Sequence, residues 1–381
     1  MTWQTKKLGE LVDEGIVQLT RGDVISKRDI AAYPGSYPIY SSAKENDGMF
    51  GRYGKFMFDE PLITWSVDGG GRLFYRPKHK FSVTNVGGVL RIKKLEILNY
   101  EYLFYVLSLK HSEIRFDWVR KAHPSVIREL YKGIPLPSLP EQKRIVKKLD
   151  EVFAAVGKAK ENAEKNLKNS RELFESYLQN IFANPGKGWE EGKLGETYDV
   201  RDGTHDSPIY QKDGFALITS KNLKQDVLNY DKVQFISQKD YKKINERSLV
   251  NKGDVLFAMI GTIGNPVVVN VEPNFAIKNV ALFKVPNNQD SYFLKYYLDS
   301  KFVIDKMMSE AKGTTQKFVG LGYLRNFQIM LPPLDEQKSI VKKLDALAGE
   351  TKKLEAIFAA KSASLDELKK SVLKKAFAGE L

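Results

Sequence analysis

Two triplets, Glu141, Gln142, Lys143 and Glu336, Gln337, Lys338, spell the acid-x-lysine half of a common nuclease pattern. A metal-dependent nuclease would also need an acidic ligand on an adjacent strand. Here each triplet follows proline and opens an apolar-striped segment, where an acidic residue is favoured by the dipole of a first helical turn. The triplets therefore predict helix starts. His79, His111, His123 and His205 lack the paired spacing of metal ligands. No Gly-Lys pair is followed by Ser or Thr, so the amide cradle and magnesium-binding hydroxyl of a phosphate loop are missing. The single Pro-Pro pair, Pro332 and Pro333, precedes Leu334 and not the aromatic residue of an adenine methyltransferase loop. Cysteine is absent, which excludes disulfide scaffolds, thiolate zinc sites, iron–sulfur clusters and cysteine nucleophiles. Arg21, Gly22 and Asp23 match an adhesion tripeptide and are read as a chance turn. The sequence offers no catalytic residue and no metal site.

Binding chemistry is better represented. Lys and Arg number 60 against 47 Asp and Glu, a net charge of +13 that favours a polyanion, nucleic acid ahead of an anionic membrane. Residues 1–139 hold 21 basic and 15 acidic side chains, and residues 187–333 hold 20 and 17. Polar, basic, glycine-containing loops recur in both stretches. They supply cations for phosphates and guanine edges, amides and hydroxyls for other base edges, and glycine for close approach. The candidate DNA contacts in the first stretch are Arg21, Lys27, Arg28, Ser41, Ser42, Lys44, Arg72, Arg76, Lys78 and Lys80. In the second they are Arg201, Thr204, His205, Lys221, Asn222, Lys312, Thr314, Thr315, Gln316 and Lys317.

The elements that must carry these loops are written twice. IPLPSLPEQKRIVKKLD at 134–150 returns as IMLPPLDEQKSIVKKLD at 329–345, an offset of 195 that persists from Leu173 and Leu178 to Leu368 and Leu373. Trp3, Leu8, Gly9 and Glu10 answer Trp189, Leu194, Gly195 and Glu196, and FSVTNV at 81–86 answers FAIKNV at 275–280. At 381 residues the chain is too long for one core. The expected plan is a variable unit at 1–136, a repeated element at 137–185, a variable unit at 186–331 and a repeated element at 332–381.

Each repeated element predicts one long helix. Ile145, Leu149, Phe153, Val156, Ala163, Leu167, Phe174, Leu178 and Ile181 recur at helical spacing, with Asn184, Pro185 and Gly186 as the stop. Glu141 to Phe182 is 42 residues, about 63 Å of helix. The second stripe runs through Ile340, Leu344, Leu347, Leu354, Ile357, Leu365, Leu368, Val372 and Phe377. Two such helices in one chain can bury each other as a coiled coil. Ile145, Leu149, Leu167, Leu178, Ile340, Leu344, Leu368 and Leu373 are the candidate helix or subunit interface. The variable units mix short β-rich runs with a helix-like segment, so the expected class is α+β. The uncharged run 255–271, broken by Gly261, Gly264, Asn265 and Pro266, reads as strand, turn, strand and not as a membrane span. With no apolar segment behind Lys6 and Lys7, the first residues carry no secretory signal, and a cytoplasmic location is expected.

With the two copies of PEQK or DEQK leading into IVKKLD, DGTHDSP at 202–208, GDVLFAMIGTIG at 253–264, KGTTQKFV at 312–319 and the closing SVLKKAFAGEL, the chain resembles the specificity subunits of type I restriction-modification systems. That resemblance implies a noncatalytic DNA reader with two mixed α/β target recognition domains joined by two long antiparallel coiled-coil helices, an internal pseudo-twofold repeat. Each domain would read one half of an asymmetric bipartite site in the major groove of double-stranded DNA, and the helices would set the spacer. It further implies two methylation subunits docked on the helices and two restriction (translocase-nuclease) subunits as partners, no membrane association, and no cofactor on this chain, with S-adenosylmethionine, ATP and Mg on the partners. The first unit departs most, with PLITWSVDGGGRLF where the second has GDVLFAMIGTIG. A coiled-coil protein–protein scaffold with two binding modules, its charge serving solubility, is the alternative.

Overall fold

The structure is a computed structural model that describes residues 3–42, 46–68, 70–114, 121–224, 226–313 and 317–381. Lys44, Thr314, Thr315 and Gln316, named above as candidate contacts, lie outside the described residues. The chain divides into two compact units, one of residues 1–163 with 359–381, the other of residues 164–358.

In the first unit the strands Val17–Arg21, Gly87–Ile92, Leu62–Ser66 and Leu73–Arg76 lie side by side in that order as an antiparallel sheet. A second sheet runs Met49–Tyr53, Tyr37–Tyr40, Lys80–Val83, Phe58–Asp59, and its two middle strands are parallel. The second unit repeats this plan. Asp199–Asp202, Val280–Lys284, Val255–Ala258 and Gly264–Val268 form the antiparallel sheet, and Gln234–Ile236, Phe215–Ile218 and Phe275–Ile277 the mixed one. The run beginning at Val255 is thus strand, turn, strand, and all four residues of Val255–Ala258 are buried, as expected of a strand covered on both faces.

One helix of each unit packs beside its antiparallel sheet: Tyr100–Glu113 in the first and Ser291–Asp299 in the second. Asn99 and Asp290 cap them, each side chain accepting a first-turn amide. Short antiparallel ladders, Thr5–Lys6 with Ile134–Pro135 and Glu190–Lys193 with Gln328–Leu331, bring the start of each variable stretch back to its end.

The repeated elements are the helices Leu139–Ala183 and Leu334–Ala378, each of 45 residues or about 67 Å. Pro140 sits in the first turn, where its missing N–H costs nothing. Gly157 and Gly349 are carried inside the helices without a break. Within the first unit the helix segments run antiparallel, since Lys160 pairs with Asp366 while Arg144 reaches the Leu381 carbonyl. Ile145 and Leu149 are buried there with Ala376, while Leu373 is partly buried against the same core. In the second unit Leu178, Phe182, Val341 and Leu344 enter the core with Phe293 and Tyr297, Ile340 packs partly buried beside them, and Arg171 pairs with Glu355. Leu167 is half-buried, and Leu368 is 45% exposed.

The identical Glu-Gln-Lys triplets have a structural explanation. Gln142 is fully buried, donates to the carbonyls of Ile97 and Pro137, and accepts from the backbone N–H of Asn99, each at 2.9 Å. Gln337, equally buried, donates to the Pro332 carbonyl and to Oε1 of Gln289 and accepts from the N–H of Asp290. Each glutamine thereby ties the beginning of its unit's sheet-packed helix to the start of a long helix. Two turns further on, the aspartate ending each KKLD accepts from a tyrosine of that same helix, Asp150 from Tyr105 and Asp345 from Tyr296. Burial and the carboxylate acceptor push both phenols well above their usual range, so the hydroxyls stay donors.

Candidate nucleic-acid interface

Each unit brings its antiparallel and mixed sheets together at a backbone crossing that requires glycine. A Cβ on Gly22 would lie 1.9 Å from the Val83 carbonyl oxygen, and one on Gly203 would lie 2.2 Å from that of Ile277. Asp23 bridges Thr84 and Thr204 bridges Lys278 in parallel fashion immediately after these glycines. The Arg-Gly-Asp tripeptide is therefore one copy of a crossing whose other copy reads Asp-Gly-Thr, and its glycine is sterically obligatory.

Around the first crossing, candidates from separate loops converge on Thr84, Asn85 and Val86. Arg21 donates from Nε to the Asn85 carbonyl at 2.8 Å, Thr84 donates to Ser41 Oγ at 2.8 Å, and Ser42 donates to the Val86 carbonyl at 2.6 Å. Arg72 lies over the Phe74 ring and Lys80 over Phe56, while Lys27 and Arg28 are exposed on the short helix Lys27–Ala32 and Lys78 is exposed in the turn before Lys80. Arg76 turns inward. It is 5% exposed, lies 3.5 Å from the Tyr40 ring centroid, and donates to Thr64 Oγ1 and the Asp47 carbonyl. Burial lowers its pKa to about 10, still far above neutrality. Its place among the candidate contacts is corrected: this guanidinium is spent on holding the loop beneath Asp47.

The second crossing gathers a different set on Lys278 and Asn279. His205 Nδ1 lies 2.8 Å from Asn279 Oδ1, with Nε2 at 2.8 Å from the buried Asp202 carboxylate. Lys278 donates to Ser207. A groove of about 580 Å³ runs beside them, lined by Lys221, Lys224, Lys232 and Lys278 with Asn279, Gln234 and Tyr210. Ile260 at its wall bridges Phe318, which in turn bridges Lys312, and the Gly261 N–H donates to the Lys317 carbonyl, so Lys312 and Lys317 border the same surface. Lys317 donates to the Met308 carbonyl. Arg201 is held by Asp199 within its own strand. Asn222, also in the lining of that groove, is buried and closes a turn between the Thr219 N–H and the Asn229 carbonyl.

Sequence reasoning passes over Thr84, Asn85, Lys278 and Asn279 as contacts. The signal is available in the FSVTNV and FAIKNV echo, where an asparagine follows the parallel strand in both copies. Among the described residues no cluster of three metal-ligating side chains occurs, and no helix is long and apolar enough to cross a membrane.

The profile of the family described as type I restriction modification DNA specificity domain matches residues 1–167 and again 186–358. The MjaVIII specificity subunit of Methanocaldococcus jannaschii is 24% identical over 374 residues, covering 91% of this chain and 86% of that protein. The EcoBI specificity subunit of Escherichia coli is 26% identical over 280 residues, 65% of this chain and 58% of its own. Among solved structures, a chain from a type I R-M system studied for complex assembly and conformational transition aligns over 100% of this chain and 98% of its own, with a TM-score of 0.75 at 21% identity. The HsdS subunit from Thermoanaerobacter tengcongensis aligns with a TM-score of 0.60 at 20% identity, over 100% of this chain and 97% of its own.

Proposed function

Because the chain belongs to the type I restriction modification DNA specificity family, we propose that it is the noncatalytic specificity subunit of such a system. Each unit reads one half of an asymmetric, bipartite duplex site through the major groove. The long helices set the spacer between the halves and dock two methylation subunits, with two restriction subunits joining for cleavage. S-adenosylmethionine, ATP and Mg act on those partners, in the cytoplasm. The observation that carries this reading is the pair of crossings, identical in backbone plan and different in chemistry. At one, Arg21, Ser41, Ser42 and Thr84 hydrogen-bond around Asn85 and Val86, whereas at the other His205 pairs with Asn279 and Lys278 with Ser207. One scaffold bearing two sets of hydrogen-bonding groups suits a reader of two unlike half-sites.

The test is to express the full chain with the methylation subunit of its own system in a methylation-free host, then map N6-methyladenine by single-molecule sequencing. A split motif methylated in both halves, absent when this chain is omitted, is the expected result. A stable complex that leaves no motif would overturn the reading in favour of a scaffold.

A further inference from the structure

The loops that leave the two glycine crossings share a property that their hydrogen-bonding groups do not explain. Val24, directly after Asp23, is 73% exposed, and Ile209, in the loop after Thr204, is 84% exposed. Among the described residues each is the most exposed large apolar side chain of its unit. One exposed aliphatic residue means little by itself. Here one occurs in each unit on the segment leaving the same obligatory crossing, two residues after Gly22 and six after Gly203.

Their surroundings are polar, with basic and acidic side chains interspersed. Pro208, just before Ile209, lines a cleft of about 270 Å³ with Asp206, Asp240, Lys243 and Arg247, and Tyr210, just after it and itself 46% exposed, lines the lysine groove. Val24 stands between Arg21 and the exposed Lys27 and Arg28. A partner protein would call for a larger contiguous apolar patch, whereas small apolar tips on a polar rim that carries lysine and arginine suit a polyanion with small isolated apolar features. In the major groove the apolar feature of a base edge is the C5-methyl group of thymine. Resting on the DNA-reading role above, we infer that Val24 and Ile209 are specificity-determining residues, each packing against a thymine methyl in the half-site of its unit.

The experiment uses the bipartite duplex supplied by the methylation map, with each thymine replaced in turn by 2′-deoxyuridine, which lacks only that methyl. Binding of the full chain is titrated at fixed salt. Removing one buried methyl is expected to weaken the wild-type chain about fourfold at one position per half-site. Ile209→Ala should bind the intact duplex more weakly by a similar factor and become indifferent to deoxyuridine at the position in its own half. Val24→Ala should do the same in the other half and leave the first unchanged. Both side chains are exposed, so folding is expected to be untouched, checked by thermal melting. Equal deoxyuridine losses in wild type and variants, or selective binding with no sensitive thymine in either half, would overturn the assignment alone. A chain that selects no duplex at all would overturn the DNA-reading role, and this inference with it.

Discussion

Replacing Gln142 tests whether the repeated Glu-Gln-Lys triplet is a structural latch. The side chain is fully buried and makes three hydrogen bonds of 2.9 Å, to the Ile97 carbonyl, the Pro137 carbonyl and the Asn99 N–H. Gln142→Ala strands those three backbone groups. A stranded buried group costs about 1–3 kcal/mol, and water entering the vacated volume recovers part of that, so a loss of about 3–5 kcal/mol is expected. Gln142→Met keeps most of the volume and still strands the groups, and should retain most of the loss. The measurements are urea unfolding, followed by near-ultraviolet circular dichroism, and native-state hydrogen exchange. Because Asn99 caps Tyr100–Glu113, exchange should accelerate at Asn99 and along the first turns of that helix. The amides around Asp290, latched by Gln337, should keep their rates. If both variants cost under about 1 kcal/mol, or if exchange rises equally at Asp290, the latch explanation is refuted.

Inserting four residues after Lys160 and four after Glu355 adds about one turn, roughly 6 Å, to each long helix; the spacer of the methylated motif should lengthen by one or two base pairs, and an unchanged spacer would remove helix length from the reading. Exchanging residues 1–136 for those of a related chain should alter one half of the motif alone, as read by methylation mapping. Replacing Lys221 and Lys278 by alanine should flatten the salt dependence of duplex binding by about one unit of log–log slope for each phosphate that is no longer neutralised. Burial beside Tyr131 lowers the His111 pKa, so the folded chain binds that proton less readily than the unfolded one. This contribution to stability is complete above an unfolded histidine's roughly 6.5 and declines as pH falls toward the depressed value. His111→Phe should reduce that acid-side slope in the pH dependence of unfolding.

What the sequence makes legible follows from how each feature is encoded. The long helices are readable because their stripe spans many turns and proline marks both starts, and the expected bounds of 141–182 fall one or two residues inside Leu139–Ala183. The repeat at an offset of 195 makes the two-unit plan readable, since like segments fold alike. Strand order is not legible, because the parallel pairing of Tyr37–Tyr40 with Lys80–Val83 joins residues some forty positions apart and leaves no local pattern. At the candidate interface, composition identifies loops rich in cations and amides, but it does not tell which side chains face outward. Arg76 and Lys80 lie four residues apart, one ending a strand and the other opening the next, yet the first is enclosed by Tyr40, Thr64 and Asp47 and the second is exposed beside Phe56.

The triplets show the same limit from the other side. Reading them as helix starts is correct as far as it goes, because the dipole argument uses only neighbours in sequence. The partners that give Gln142 and Gln337 their purpose, Asn99 and Asp290, lie 43 and 47 positions away. A buried amide with every polar atom matched is a demanding arrangement, and finding it twice explains why this stretch repeats more closely than the units it anchors. The latch contacts main chain at both helix caps and, in the second copy, the Gln289 side chain, and it touches neither glycine crossing. The residues around Thr84–Val86 and Lys278–Asn279 can therefore diverge without disturbing how each unit is held, which is the physical condition for two unlike readers on one repeated frame.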